Sequence, residues 1–466
     1  MMSEPCVVVL DVGKTNIKIV AVDEQGAAME VLSYPSEPVM TEFYLAKDIA
    51  SIQAMVTEAL SHLNKRHTIA ALVTTAHGCG GVLVDDHGPV LPIMDYEATA
   101  PDWLAGAYDK IAPRYDEVFC TLSAGIMRPA QQMVWQSTAF PAEFAKARYF
   151  LTLPQYLAFW LGGRPASEIS SFAAQNHLWN PLTQNYASIV GKMGWGHLFP
   201  PFVKAGMSLG TIAPWVAKAT GLPESVEVLA GAHDSNANFF RYKAAGLQDH
   251  TVLSTGTWMI GFNRGRALNQ FRADRAMVAN VDVDGQPIAS TLTMTGREYA
   301  ILAGSSPISD TRALELVPVL LARGTLPLPS FADDDGPVPG SAGKGYILGP
   351  QPENMAERGA VAALYAAFTA DLCLDVLGST TPIVIDGGFA TNQAFASLLS
   401  TLRPQQKIKV SRSKDGTALG AGLLWRRFER KAPVESVTLD DITPLAFTHD
   451  LREAAKRWRS LSHCDA

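Results

Sequence analysis

The hydrophobic pattern opens with an apolar, β-branched run at residues 7–10, then a polar stretch, then an alternation in which Ile17 and Ile19 flank Lys18. This predicts a strand, a tight turn and a second strand. The turn gathers Asp11, Gly13, Lys14, Thr15, Asn16 and Lys18. Gly13 permits a bend that other residues resist. Outward backbone N–H groups beside Lys14 and Lys18 would form a cradle for phosphate. Asp11, at the end of a buried strand, could hold a cation such as Mg²⁺ directly or through water. An ordinary hairpin with a solvated turn has the same pattern, so the rest of the chain must decide.

Downstream, residues 27–33 read as a third strand, and residues 46–64 as an amphipathic helix with Ile49, Ile52, Met55, Val56, Leu60 and Leu63 on one side. A short apolar strand at 69–73 runs into the loop TTAHGCGG, which carries His77 and Gly78. A loop of this kind after a strand is where α/β folds place ligands. Strands are expected at 82–84 and 90–93, followed by the polar group Asp95-Tyr96-Glu97. Residues 100–225 are richer in helix and aromatics, with helices near 141–161 and 184–193 and with Trp135, Trp160 and Trp179 as core. A strand at 226–229 ends at His233 and Asp234, where a helix begins. A lone Asp there is ordinarily a helix cap, stabilised by the positive end of the dipole.

Residues 251–263 repeat the opening theme as strand, Gly256-Thr257 turn and strand, which implies two lobes of related design divided near residues 241–250. A Gly/Pro-rich loop covers 323–344, and its Asp333-Asp334-Asp335 run reads as a solvated tip. A long Ala-rich helix spans 354–377. A buried strand from Ile383 runs into Asp386-Gly387-Gly388, where paired glycines let backbone approach a ligand, and Asn392 follows. Small residues after Lys414-Asp415 open another helix, and residues 451–461 form a surface helix. No G-x-x-x-x-G-K-[ST] and no strand-bound G-x-G-x-x-G occurs, so neither a P-loop nor a dinucleotide site is supported.

Composition changes the picture in three ways. Hydrophobic residues make up 47% and charged residues 18% of 466, which suits large cores and more than one domain. A net charge of −7 without a dominant basic patch argues against nucleic acid as a partner. The five cysteines, Cys6, Cys79, Cys120, Cys373 and Cys464, are odd in number and lack C-x-x-C spacing, which points to a reducing compartment without structural disulfides or a zinc cluster. Neither a signal peptide nor an uncharged apolar run of about 20 residues is found, so no membrane is expected and a cytoplasmic location follows by default.

Together these pieces resemble the FGGY carbohydrate kinases, which have the actin-like ATPase fold. The resemblance runs from about residue 6 to about residue 427. The opening hairpin resembles the family's first phosphate motif. TTAHGCGG and VLPIMDYEA are similar to its sugar segment, GAHDSNANFF to the block with the catalytic aspartate, STGTWMIGF to the second phosphate motif, and IDGGFATNQAF to the adenosine motif. Around His233-Asp234 and the Gly-Thr-Trp turn the chain is most similar to L-rhamnulose kinase-type members. The resemblance implies an α/β fold of two actin-like (ribonuclease H-like) lobes with a central cleft. Residues 1–242 would bind sugar and carry the first hairpin, 243–430 would bind ATP, and 431–466 would be a tail with a helix.

The implied reaction is ATP-dependent phosphorylation of a sugar hydroxyl with Mg²⁺. Asp234 would be the base and Asp11 the metal residue. Gly13, Lys14, Thr15, Asn16, Lys18, Gly256, Thr257, Gly387, Gly388 and Asn392 would contact nucleotide. His77, Gly78, Asp95, Tyr96, His233 and Asp234 would contact sugar. L-rhamnulose is the leading substrate; L-fuculose, a pentulose (xylulose or ribulose) or a polyol are alternatives, and a homodimer is left open. Three positions depart from the family pattern. Gln132 stands where a lysine normally precedes Trp135, Glu97 ends an Asp-x-Arg motif that here lacks the arginine, and GKTNIK replaces a rhamnulose-type opening with small residues and an arginine.

Two other classes compete. A non-catalytic sugar sensor on the same fold would need to dispense with Asp234, Asp11 and both Gly-Thr turns, which are present, and no helix-turn-helix precedes Cys6. A chaperone-like ATPase would need a peptide-binding domain that the chain does not display. Because water competes for a transferred phosphoryl group, two lobes are expected to close on sugar and ATP. Small-angle scattering should therefore show a smaller radius of gyration with both ligands than with neither; an unchanged radius would refute closure.

Overall fold

The computed structural model describes residues 4–121, 125–304, 310–434 and 437–463. Cys464 lies outside them. The chain folds as two units: Met1–Leu247 with Ala279–Pro287 and Asp415–Ser436, and Gln248–Val278 with Ile288–Lys414 and Val437–Ala466.

In the first unit β1 (Pro5–Val12) is central because its apolar run has no polar face. Cys6, Val8, Leu10 and Val12 pack into one core, and Val7 and Val9 into another on the opposite side. β2 (Asn16–Val22) returns antiparallel with Asp11 opposite Lys18, and β3 (Ala28–Pro35) extends that flank. On the other flank lie β4 (Thr68–Ala76), β6 (Glu227–His233) and the edge strand β5 (Ser208–Thr211), giving the order β5-β6-β4-β1-β2-β3. β1, β4 and β6 are parallel, and Val12, Ala76 and His233 share one rung at their carboxyl ends. Asp48 caps α1 (Ile49–Asn64) by accepting from the Ser51 N–H at 3.0 Å, and α1 with α2 (Leu153–Leu161) covers one face of the sheet. The other face is covered by α3 (Asp234–Ala244) and the Gly416–Gly422 helix. The two touch closely, since a Cβ on Gly420 would stand 2.0 Å from the Ala237 carbonyl.

The second unit repeats the plan. β7 (Thr251–Thr255) and β8 (Met259–Asn263) form the hairpin, and β10 (Pro287–Thr293) and then β9 (Met277–Val281), along which the chain passes out of this unit after Val278, lie beyond β8. β11 (Ile383–Gly387) and β12 (Ile408–Ser411) run parallel to β7, and β13 (Leu439–Asp441) is the antiparallel edge. The order is β9-β10-β8-β7-β11-β12-β13. The hairpin, its antiparallel neighbour, two parallel strands and an antiparallel edge thus occur in both sheets, so the short echo in the sequence marks a repeated architecture. α4 (Met355–Val376) is long and apolar enough to cross a membrane, but most of it is buried in this unit's core.

Several predicted elements change. Residues 141–161 are not one helix: Tyr149–Thr152 pairs as a strand with Gly81–Val84, and Pro154 opens the next helix. Strand pairing overrides helical periodicity there. Residues 184–193 divide into the short strand Asn185–Tyr186 and the helix Ser188–Met193. Residues 90–93 form no strand, because Pro89 and Pro92 lack the N–H that a ladder needs. The loop at 323–344 contains Leu326–Leu328, which pairs with Tyr346–Leu348. Its acidic run is solvated only in part: Asp333 is exposed, while the half-buried Asp334 accepts from the Gly336 N–H at 2.9 Å and Asp335 from that of Ala342 at 2.8 Å.

β6 shifts register between Leu229 and Ala232, and there a Cβ on Gly231 would fall 1.7 Å from the Thr74 carbonyl. Gly231→Ala should therefore cost about 3 kcal/mol through displaced backbone. The measurement is the urea midpoint, and an unchanged midpoint would contradict this packing.

Candidate functional site

The three parallel strands of the first unit end together, so Asp11, His77 and Asp234 leave the sheet on one edge. The hairpin turn closes through a Gly13 N–H donating to the Asn16 carbonyl at 2.9 Å, and Thr15 and Asn16 are exposed. Its two lysines diverge. Lys18 pairs with Asp415 at 2.7 Å. Lys14 reaches the segment at 95–97, with Nζ 2.5 Å from Asp95 Oδ1, 3.0 Å from Glu97 and 4.8 Å from the centre of the Tyr96 ring. Lys14 therefore faces the residues expected to bind sugar.

Lys47, which carried no signal in the sequence, is buried in the same place and donates to the Gly13 carbonyl at 3.3 Å. Burial pulls its pKa down to about 8 against the attraction of Asp95, and Lys14 lowers it further. The imidazole of His77 stands edge-on to Tyr96 at 5.5 Å, and neither ring nitrogen has a hydrogen-bond partner among the described residues. Burial, then Lys47, His233 and Lys14, hold its pKa well below the ordinary range, so it is a neutral donor and acceptor. Gly78 packs so closely that an added Cβ would lie 2.6 Å from Ala174 Cβ and 3.1 Å from His233 Cδ2. The carbonyl of Cys79 accepts from Gln132 Nε2 at 2.9 Å. Gln132 thus braces the loop that follows β4, through an amide rather than a charge.

His233 is the last residue of β6 and the N-cap of α3, and Asp234 is the first residue of that helix. The Asn236 amide lies 3.0 Å from His233 Nδ1, which leaves the Nε2 proton for Asp234 Oδ1 at 3.1 Å. Oδ1 also accepts from the Ser235 N–H at 2.5 Å and from its hydroxyl at 3.1 Å. Oδ2 has no partner among the described residues, and the side chain is 27% exposed. Asp234 is therefore oriented through one oxygen and presents the other. Asp11 is pushed up to about 7 by burial first, then by Asp234 and, more weakly, Asp415, with Lys18 opposing.

A hard cation fits this chemistry. Asp11 is an oxygen donor whose ionisation is held back by negative neighbours, and a divalent ion would relieve that cost. No cluster of three metal-binding side chains exists among the described residues, so Mg²⁺ here would be carried by one or two carboxylates together with phosphate oxygens and water.

In the second unit Gly256 and Thr257 are exposed at the turn between β7 and β8, closed by a Gly256 N–H to Trp258 carbonyl bond of 2.8 Å. Thr255, buried just before the turn, donates to the Asp386 carbonyl at 2.5 Å and accepts from the Phe389 N–H at 2.9 Å, tying the turn to the Gly387-Gly388 loop. Gly387 has φ +84, and a Cβ there would strike the Thr255 carbonyl at 2.0 Å. Asn392 is a helix cap whose Oδ1 accepts from the Phe395 N–H at 2.9 Å, while its amide donates to the Tyr299 hydroxyl at 3.0 Å. The second amide proton has no partner among the described residues.

Residues 6–240 match the FGGY family of carbohydrate kinases, N-terminal domain, and residues 247–433 match carbohydrate kinase FGGY, C-terminal domain. An L-fuculokinase of Salmonella typhi is 26% identical over 269 residues, which is 56% of each chain. A xylulose kinase of Staphylococcus epidermidis is 25% identical over 244 residues, 50% of this chain and 48% of that one. The chain thus spans about half the length of these curated relatives. A crystal structure of a carbohydrate kinase from Novosphingobium aromaticivorans superposes with a TM-score of 0.88 at 30% identity, covering 98% of this chain and 100% of that one. A ligand-bound xylulose kinase from Lactobacillus acidophilus shares the fold, with a TM-score of 0.82 at 15% identity over 98% of both chains.

The Asp11 carboxyl binds its proton more tightly folded than unfolded, so its contribution is fully present below pH 3.8 and is lost as pH rises to about 7. Asp11→Asn should remove that loss and raise stability at pH 8 by on the order of 2 kcal/mol, a figure reduced for partial exposure. At pH 4 the variant and the parent should differ little. Urea midpoints at the two pH values check this, and equal effects at both would contradict it.

Proposed function

The chain belongs to the FGGY family of carbohydrate kinases, and we propose that it transfers the γ-phosphate of ATP to a hydroxyl of a 6-deoxy ketohexose. L-rhamnulose is the first substrate to test and L-fuculose the second. The observation that carries the reading is Asp234, with Oδ1 held by three donors and Oδ2 left for a substrate proton. A sugar hydroxyl is a weak nucleophile at neutral pH, and a positioned carboxylate that takes its proton contributes about 10² to 10⁴-fold. His77, neutral and unpaired, and His233 beside Asp234 suit hydroxyl recognition because each can donate or accept without a net charge.

Lys14 answers the absence of an arginine at position 97. The cation beside Asp95 comes from the hairpin rather than from two residues further along the same segment. In this reading the hairpin serves both substrates: its backbone and Thr15 serve phosphate, and Lys14 orients the sugar segment. Gly256 and Thr257 contribute donors to phosphate oxygens, and Gly387, Gly388 and the spare Asn392 proton border the adenosine. Mg²⁺, when bound with ATP at Asp11, supplies neutralisation of phosphate charge.

A pentulose acceptor is the second reading, favoured by the matches to proteins named xylulose kinase. A coupled ADP-release assay over ketohexoses, 6-deoxy ketoses, pentuloses and polyols discriminates. The proposal expects the largest kcat/KM with a 6-deoxy ketohexose, and the absence of ADP release with every sugar would favour a sensor. Asp234→Ala is expected to lower kcat at least 10²-fold while ATP affinity stays within about twofold. A near-normal kcat would remove Asp234 from the chemistry.

A further inference from the structure

The second unit contains a cavity of 120 Å³ that the phosphotransfer reading does not use. Its wall is made by Arg266, Arg272, Arg275 and Arg459 together with the Asp375 carboxylate, and Met277, Leu372 and Val376 supply an apolar floor. In a chain of net charge −7 this concentration of guanidinium groups is unusual. Arg272 pairs with Asp274 at 2.6 Å, and Arg459 pairs with Asp371 and, at 2.5 Å, with Asp375. Those two carboxylates are already shared with Arg403, at 2.8 and 2.9 Å. Arg275 is buried and donates to a backbone carbonyl, that of Pro337, at 3.1 Å. Arg266 Nε is buried without a hydrogen-bond partner among the described residues. Among the described residues, five arginines therefore face the three carboxylates that pair with them, a surplus of two positive charges.

Leaving a buried guanidinium N–H unpaired is costly, and a planar oxyanion is the partner its donor fork fits best. The apolar floor adds a second requirement, because an ion with a complete hydration shell gains nothing from Leu372 and Val376. The backbone makes room for this arrangement at Gly378, whose φ is +63 and where a Cβ would lie 3.0 Å from an Arg266 terminal nitrogen.

The position separates this pocket from the turns described above. β8 leaves the Gly256-Thr257 turn and Arg266 lies just past its far end, while Gly378 precedes the start of β11, whose far end carries Gly387. A five-residue strand is about 13 Å long, so the arginines and the glycine turns stand at opposite edges of the sheet.

We propose that the Arg266–Arg275–Arg459 cavity is a binding site for a small organic anion, whose carboxylate or phosphate group is held by the guanidinium groups and whose carbon body rests on Leu372 and Val376.

The test is isothermal titration calorimetry of the full chain with phenyl phosphate and, separately, with benzoate, in about 0.1 M salt and saturating ADP. One-to-one saturable binding of at least one probe is expected. Binding of phenyl phosphate alone identifies a phosphate ester as the ligand class, and binding of benzoate alone a carboxylate. Arg266→Gln, which removes the guanidinium whose Nε has no partner among the described residues, should weaken binding tenfold or more. Val376→Phe, which keeps every charge but fills the floor, should do the same. Lys456→Gln, an exposed cation on the helix that carries Arg459, should leave affinity within twofold. The proposal is overturned if neither probe saturates with ADP present, or if all three variants weaken binding equally, which would mark diffuse attraction by charge.

Discussion

Everything at the first unit's candidate site depends on the parallel pairing that aligns Val12, Ala76 and His233 on one rung. Each strand is buried on both faces, so a slip of register would expose a full row of apolar side chains and is strongly disfavoured. The residue after each rung position is thereby fixed in space, and the chain has placed chemistry there: Gly13 and Lys14 after β1, His77 after β4, Asp234 after β6. Packing determines the precision, and polar residues use it.

The electrostatics of that edge follow from the same burial. Low-dielectric surroundings push Asp11 toward its neutral form, draw the Lys47 pKa down to about 8 and keep His77 uncharged. Only paired charges are then tolerated at low cost, and the Lys14–Asp95 contact is such a pair. It joins the turn after β1 to the segment at 95–97, so two loops expected to hold different substrates share one ion pair.

Much of this was legible in the sequence, for identifiable reasons. The two hairpins, the β6–α3 junction at Asp234 and the Gly387-Gly388 loop are strongly patterned locally, with apolar runs ending in Gly, Asp and Thr. Lys47 was not legible, because a lone lysine before a helix has no period to mark it as buried. The ion pair of Lys14 joins residues 81 apart, and that of Lys18 joins residues 397 apart, distances at which no local pattern speaks. The strand Tyr149–Thr152 was lost for the related reason that its partner, Gly81–Val84, lies far back in the chain. The aromatic residues were read well only in part: Trp135 is buried, whereas Trp160 is half-buried, packing on the core while its ring meets the exposed Trp215 at a tilt, centres 5.2 Å apart.

The contact between Gly420 and the Ala237 carbonyl has an implication for how the molecule is made. The helix that begins with Asp234 finds its cover in residues 416–422, which belong to the first unit although nearly all of the second intervenes. During synthesis, the face of that helix toward Ala237 stays bare until most of the ribosome's work is done. Cutting the gene after residue 247 would therefore yield a fragment whose Asp234 helix lacks its cover.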